Sequence, residues 1–191
     1  MVNAHISSIF ELNTILPLST DTLSFIKSNF KTLSLSKNEF LIKKGDVVDK
    51  IFVVRKGLVR GFDTISDHEI TYWISVDGET CTSSAFFATE KSEEYIQALE
   101  DTILDYLTIA DLRKAIKNFK DFNELYIKNL EKYYQYAQKR ALISRIPNAA
   151  DRYSYFLTHY DPRIVARTPD KYIASFLGIK PETLSRLKRK R

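Results

Sequence analysis

Apolar positions along the chain change their period twice. Ser19-Thr20-Asp21 make a cap-like cluster ahead of Leu23, Phe25, Ile26 and Phe30 at helical spacing, so the first thirty or so residues are predicted to be helical. From Lys31 to Leu107 short β-branched and aromatic runs take over: Glu39 to Ile42, Lys50 to Val54, Leu58 to Phe62, Ile70 to Ile74, Tyr95 to Leu99 and Thr102 to Leu107. Lys44-Gly45-Asp46, Lys56-Gly57, Ser66-Asp67 and Asp77-Gly78 punctuate them. Strands this short, with no helix-length crossover between them, predict an antiparallel, jelly-roll-like β-roll rather than a parallel sheet.

Helical spacing returns at Ile109, and Asp121 to Arg145 runs without Gly or Pro. A helix of that length is a rod of about 37 Å, too long for a small core. Tyr126, Leu130, Tyr133 and Ala137 fall four, three and four residues apart, a narrow apolar seam flanked by Lys128, Lys132 and Lys139. Two readings are open: the seam pairs with a second copy of the helix, which we favour, or it packs on its own β-module. Ile146-Pro147-Asn148 ends the rod, and Asn148 with Asp151 caps a new helix, Ala149 to His159. Thr168-Pro169 predicts a further helix start, with the Thr168 side chain as cap. Two short helices then meet at Gly178: Ala174 is small at their crossing, Ile173, Leu177, Ile179, Leu184 and Leu187 are their buried faces, and Pro181 opens the second. That is helix-turn-helix spacing. The expected fold class is α+β, divided into a β-roll (1–120), a dimerisation helix (121–146) and a helix-turn-helix domain (147–191).

Composition narrows the chemistry. One Cys leaves no disulfide pair and no cysteine-built cluster, and 44% hydrophobic with 28% charged residues is an ordinary globular balance. There is no apolar run of about 20 residues and no export-type N-terminus, so a cytoplasmic protein without membrane association is expected. Charge is uneven. Residues 1–110 hold 10 Lys/Arg against 16 Asp/Glu, net −6, and residues 111–191 hold 19 against 8, net +11. A basic half-chain fits a phosphate backbone, the alternative being a solvated basic face.

On the last helix, Lys180, Glu182, Thr183, Ser185, Arg186 and Arg189 are left facing outward once Leu184 and Leu187 turn inward. Arg pairs bidentately with guanine, Glu accepts from cytosine, and Ser or Thr reaches base or phosphate. With Thr168, Lys171 and the tail Lys188-Arg189-Lys190-Arg191, they are the candidate contacts to double-stranded DNA.

At this point the chain resembles the CRP/FNR-like bacterial transcription regulators over nearly its whole length. The resemblance is carried by Lys44-Gly45-Asp46, by Asp49-Lys50-Ile51-Phe52-Val53-Val54 with Lys56-Gly57-Leu58-Val59-Arg60, and by Asp77-Gly78-Glu79 and Gln97-Ala98-Leu99-Glu100. Tyr172-Ile173-Ala174-Ser175-Phe176-Leu177-Gly178-Ile179 and Glu182-Thr183-Leu184-Ser185-Arg186 complete it, in a style similar to the Bacteroidetes-type branch. It implies a homodimer, with RNA polymerase as a further partner, Glu182 and Arg186 as the base-reading pair, and no cofactor. Pro181 stands where many members have Arg, a departure at a position that bears on operator choice, and with the chain stopping at Arg191 a wing is expected to be reduced or absent.

In ligand-binding members a Gly-Glu pair opens a phosphate cassette, and an Arg further on neutralises the phosphate. Gly78 and Glu79 fit, and Thr80, Ser83, Ser84, Lys91 and Ser92 complete a possible effector pocket. The Arg is missing: Lys91 is the only cation beside Glu90, Glu93 and Glu94. A response to cAMP is therefore not expected, because a buried phosphate without a paired cation is costly to desolvate; a regulator answering to a cyclic nucleotide or another small molecule is the alternative. A lone Cys81 reads as a small half-buried residue before it reads as a redox sensor, and His5, His68 and His159 have no metal-ligand spacing. Tyr133, Tyr134 and Tyr136 read as seam and flank residues. No nucleophile elbow or glycine phosphate loop is present, and Glu93-Glu94 would point apart in a strand, so no catalytic residue and no enzyme is expected.

Overall fold

The structure, a computed structural model, describes residues 16–88 and 90–190. It opens on α1 (Thr20–Asn29), capped by Ser19, whose Oγ accepts from the Thr22 amide at 3.3 Å. The predicted helix before residue 16 lies outside the described residues. Eight strands follow, β1 (Lys31–Leu35), β2 (Phe40–Ile42), β3 (Lys50–Lys56), β4 (Leu58–Ile65), β5 (His68–Val76), β6 (Thr80–Cys81), β7 (Tyr95–Ala98) and β8 (Thr102–Thr108), with the short helix α2 (Ala85–Ala88) between β6 and β7. They form two four-stranded sheets, in the orders β1-β8-β3-β6 and β2-β7-β4-β5, and every pairing is antiparallel. The expected roll is there. β1 and the two-residue β6 went unrecognised, and the β4–β5 hairpin runs further than expected because Ser66 and Asp67 both take positive φ, a turn whose twist suits the strands it joins.

α3 (Ile109–Asn118) is capped by Thr108, and the extended backbone of Phe119 separates it from α4 (Lys120–Arg145), 26 residues and about 39 Å long. Asp121 anchors the start of α4 to α1: Oδ2 accepts the Ser19 amide at 2.7 Å and Oδ1 the Thr22 hydroxyl at 2.6 Å. Phe122 and Leu125 enter the roll's core, with Tyr126 packed against it.

The predicted seam divides. Tyr126 and Tyr133 face the roll, the Tyr133 hydroxyl donating to the Thr80 carbonyl, while Leu130 and Ala137 are exposed. Each helical residue advances about 100°, so Ile127 and Tyr134 lie about a quarter-turn round from Tyr126 and Tyr133. There Ile127, Tyr134 and Leu142 form an outward apolar face, 46%, 66% and 51% exposed. A stripe four and three residues apart did not distinguish the face that the roll covers from the face beside it.

After Ile146 come α5 (Ala149–His159), capped by Asn148 as expected, and an unpredicted α6 (Pro162–Arg167) begun by Asp161. α7 (Asp170–Leu177) and α8 (Pro181–Arg189) are the two helices of the corner, and Gly178 between them is left-handed at φ +59°, the conformation a side chain would strain. The expected Thr168 cap is corrected: Thr168 closes α6, Pro169 occupies the cap of α7, and no side chain bonds there. Leu58, Ile74, Val76 and Leu99 of the roll share one apolar core with Ile143, Tyr153, Phe156, Ile164, Ile173, Leu177 and Leu184. The backbone breaks at Phe119 and Ile146 stand near the expected boundaries, but packing is continuous across them.

Burial raises the Asp121 carboxyl's pKa, but the hydrogen bonds from Thr22, Ser19 and Phe122 outweigh it and hold the group down to about 2. Its contribution to stability is thus complete above the ordinary carboxylate range and is lost as pH falls toward about 2. Asp121→Asn is expected to flatten the acid limb of a stability profile measured by urea unfolding between about pH 4 and 2.

Candidate functional site

On α8, Leu184 is fully buried and Leu187 partly so, anchoring the helix on α7 and α5. The opposite side is open: Pro181, Glu182, Ser185, Arg186 and Arg189 line a shallow surface depression. Arg186 Nη2 donates to Thr183 Oγ1 at 3.3 Å, and Arg189 Nε to the Ser185 carbonyl at 3.4 Å, so both guanidiniums lie along the helix with donors to spare. Lys180 is exposed at the helix start, and Lys171 on α7 stands over the Tyr172 ring at 4.5 Å. An ion pair from Lys188 to Asp170 ties the two helices together. Thr168 does not belong with these residues: it is 5% exposed, with no hydrogen-bond partner for its hydroxyl among the described residues. Arg191 lies outside the described residues.

The corner is seated on the roll. Ser175 Oγ donates to the Glu69 carbonyl at 2.7 Å and accepts the Thr71 amide at 2.9 Å, both on β5. Arg60 on β4 is 1% exposed and sandwiched, its guanidinium carbon 3.8 Å from the Phe62 ring centroid and 3.7 Å from that of Tyr172 on α7. Arg167 of α6 pairs with Asp77 and Glu100. Asp77 also accepts the Gly57 amide at 2.6 Å; burial raises its pKa, and Arg167, that amide and Arg163 together bring it below the usual range.

Between the roll and α4 lies a cavity of about 430 Å³. Of the expected pocket residues Glu79, Thr80 and Ser84 line it, while Gly78, Ser83, Lys91 and Ser92 do not. The Ser83 and Ser92 hydroxyls are buried against each other at 2.9 Å, and Lys91 is exposed beside Val47. Glu79 Oε1 accepts from Tyr136 at 3.0 Å and Oε2 from the Val76 amide at 3.2 Å; burial is the main reason its pKa is raised. Glu93 and Glu94 do point apart, Glu93 exposed and Glu94 buried, its oxygens accepting Trp73 Nε1 and the Ser84 amide, each at 3.1 Å. Cys81 is buried in the wall, where desolvation pushes its thiol far up and away from thiolate chemistry. Arg140, Tyr133 and Tyr136 of α4 complete the lining and escaped the sequence reading. Their spacing of three and four along one helix face was the available signal, absorbed there into the seam. A second chamber of about 300 Å³ shares Trp73, Glu79, Tyr136 and Arg140 and reaches Tyr160 and Phe176.

Residues 32–119 match the family described as Cyclic nucleotide-binding domain. Among solved structures the chain is similar to FixK2 from Bradyrhizobium japonicum, at 19% identity and TM-score 0.74 over 84% of this chain and 83% of that one. It is similar to a CooA mutant from Carboxydothermus hydrogenoformans, at 22% identity and TM-score 0.71 over 86% and 77%. A protein from Eubacterium rectale described as a crp/fnr-family transcriptional regulator matches at 19% identity and TM-score 0.67 over 91% and 83%. No curated protein sequence matches significantly.

Gly61 is packed under Trp73, the chain's single tryptophan, and a Cβ there would meet the indole at 2.2 Å. Gly61→Ala is expected to displace the indole from the cavity wall, visible as a shifted fluorescence maximum, and to cost about 1–3 kcal/mol in chemical unfolding.

Proposed function

We propose that this chain, which carries a cyclic nucleotide-binding-type domain on a CRP/FNR-like fold, is a sequence-specific, double-stranded DNA-binding transcription regulator that acts as a homodimer. One observation carries the reading: the last helix is held by a buried leucine and leaves Glu182, Ser185, Arg186 and Arg189 facing solvent on one side. Hydrogen-bonding side chains in that arrangement fit a major groove, with Glu182 and Arg186 reading bases and Lys171, Lys180, Thr183, Arg189 and Lys190 meeting phosphate.

The reading keeps the three-part division: roll to residue 120, dimer helix to 146 and DNA-binding domain beyond. The dimer surface is assigned to the outward face of α4, Ile127, Leu130, Tyr134 and Leu142, since apolar side chains this exposed on a long rod suit a second copy. Two corners related by such a dimer would meet half-sites about 10 base pairs apart. RNA polymerase is the further partner that the reading implies, and the cytoplasm its compartment. Among the described residues no helix is long and apolar enough to cross a membrane. No residue is assigned a catalytic role. The placement of Lys91 outside the cavity, and of the buried Glu94 within it, supports the view that cAMP is not its ligand. The assignment to a Bacteroidetes-type branch rests on the sequence phrases alone.

Selection of bound sequences from random duplex is expected to return a two-fold symmetric site. On that site Arg186→Ala should lose about 1–3 kcal/mol, concentrated at one base position, whereas Lys190→Ala should weaken all sequences alike and lower the salt slope by about one. Equal, sequence-blind losses from both would refute the division of roles. Tyr134→Glu, on the outward face of α4, should shift the sedimentation equilibrium toward monomer with the circular dichroism spectrum unchanged.

A further inference from the structure

Pairing the charges around the larger cavity leaves two of them over. Six charged side chains line it: Asp63, Glu79, Glu93, Glu94, Lys132 and Arg140. Lys44 stands 3.3 Å from Asp63 and 3.5 Å from Glu93, and Lys132 stands 4.0 Å from Glu79. Glu94 is 7% exposed, yet its oxygens meet only neutral donors, Trp73 Nε1 and the Ser84 amide. Arg140 is half-buried on the facing helix and makes no hydrogen bond or ion pair among the described residues, although it feels the Glu94 charge. A buried carboxylate and a half-buried guanidinium thus share one chamber without touching. Each is costly to keep unpaired in a medium of low polarity, and each would be stabilised by an opposite charge brought to it.

The walls between them are apolar and aromatic: Ile51, Trp73, Ile74, Phe87 and Leu130. A volume of about 430 Å³ is in the range of small-molecule sites. We infer that the cavity binds a small zwitterion of the α-amino-acid class, its ammonium group at Glu94, its carboxylate at Arg140 and its side chain against Trp73 and its apolar neighbours. A cyclic phosphate diester brings a negative charge and no positive one, so it answers Arg140 and leaves Glu94 beside an added anion. A simple amine answers Glu94 alone. A zwitterion neutralises both, and the planar guanidinium fork matches a carboxylate bidentately.

Only the ligand's role as an effector rests on the regulator reading; its binding is a property of the cavity and is tested without DNA. The 191-residue chain is screened for thermal stabilisation by the twenty L-amino acids, and any that bind are titrated calorimetrically beside their des-amino and decarboxylated analogues, 3-phenylpropanoate and 2-phenylethylamine in the case of L-phenylalanine. At least one amino acid should bind, with both singly charged analogues about tenfold or more weaker. Arg140→Gln should weaken the amino acid and the acid and leave the amine unchanged; Glu94→Gln should weaken the amino acid and the amine and leave the acid unchanged. Failure of every amino acid to bind, analogues as tight as the parent, or saturable cAMP binding lost in Arg140→Gln would each overturn the assignment. Should Glu94→Gln release Trp73 and unfold, the Arg140 variant and the wild-type analogue series still decide. DNA selection with the unliganded protein stands or falls separately.

Discussion

The architecture turns on one buried cation. Arg60 is almost wholly enclosed, and a guanidinium in that position is tolerable only if its donors and both its faces are occupied. Gln97 Oε1 takes Nε and Nη2 at 3.1 and 2.8 Å, Thr71 takes Nη1 at 3.3 Å, and Glu69 meets Nη2. Phe62 covers one face. The other is covered by Tyr172, which belongs not to the roll but to the first helix of the corner. Lifting the corner away would expose the guanidinium face and one side of the shared apolar core together. The roll therefore completes its own interior with a side chain from the C-terminal helical corner.

A second tie links the same two halves through charge. Asp77, at the end of the β4–β5 unit and immediately before Gly78-Glu79, pairs with Arg167 of α6, and Glu79 accepts a hydrogen bond from Tyr136 of α4. The turn that borders the cavity is thereby bonded both to the long helix and to the segment leading into the corner. A ligand that draws Arg140 or Glu94 toward itself acts on neighbours of that turn and of α4, and only its differential contacts can move the corner. Trp73, packed over Gly61, ties the cavity's back wall to the sheet, and α4 supplies the facing wall.

Most of the fold was legible because it rests on local signals. Alternation bounded by turn residues located six of the eight strands, Asn148 marked α5, and Gly178 marked the corner, since each depends on a few adjacent residues. The two-residue β6 carries too little pattern to stand out, and α6 is a single turn and a half begun by Asp161-Pro162. The α8 surface was legible for the same local reason: once Leu184 and Leu187 turn inward, the outward set follows from helical geometry. The cavity was not. Its lining pairs β5 and β6 with a helix fifty residues later, and nothing in the period of α4 says which of two adjoining faces meets the roll. Thr168 misled because a hydroxyl before a proline has the signature of a cap, yet here the chain needed that residue to close the preceding helix.

The division of charge acquires a structural meaning from these contacts. An acidic roll joined to a basic C-terminal half would be expected to draw the basic side chains inward, which would blunt any surface meant for phosphate. Instead the ion pairs between the halves fall on α4 and α6: Lys132 meets Glu79, Arg163 and Arg167 meet Asp77, and Arg167 also meets Glu100. On α8, among the described residues, only Lys188 is drawn into an ion pair, with Asp170 of the neighbouring helix. Among the described residues Arg186 and Arg189 bond only within α8, to Thr183 and to the Ser185 carbonyl. The pairs on α6 thus tie the corner to the roll and leave Arg186 and Arg189 without an acidic partner among the described residues.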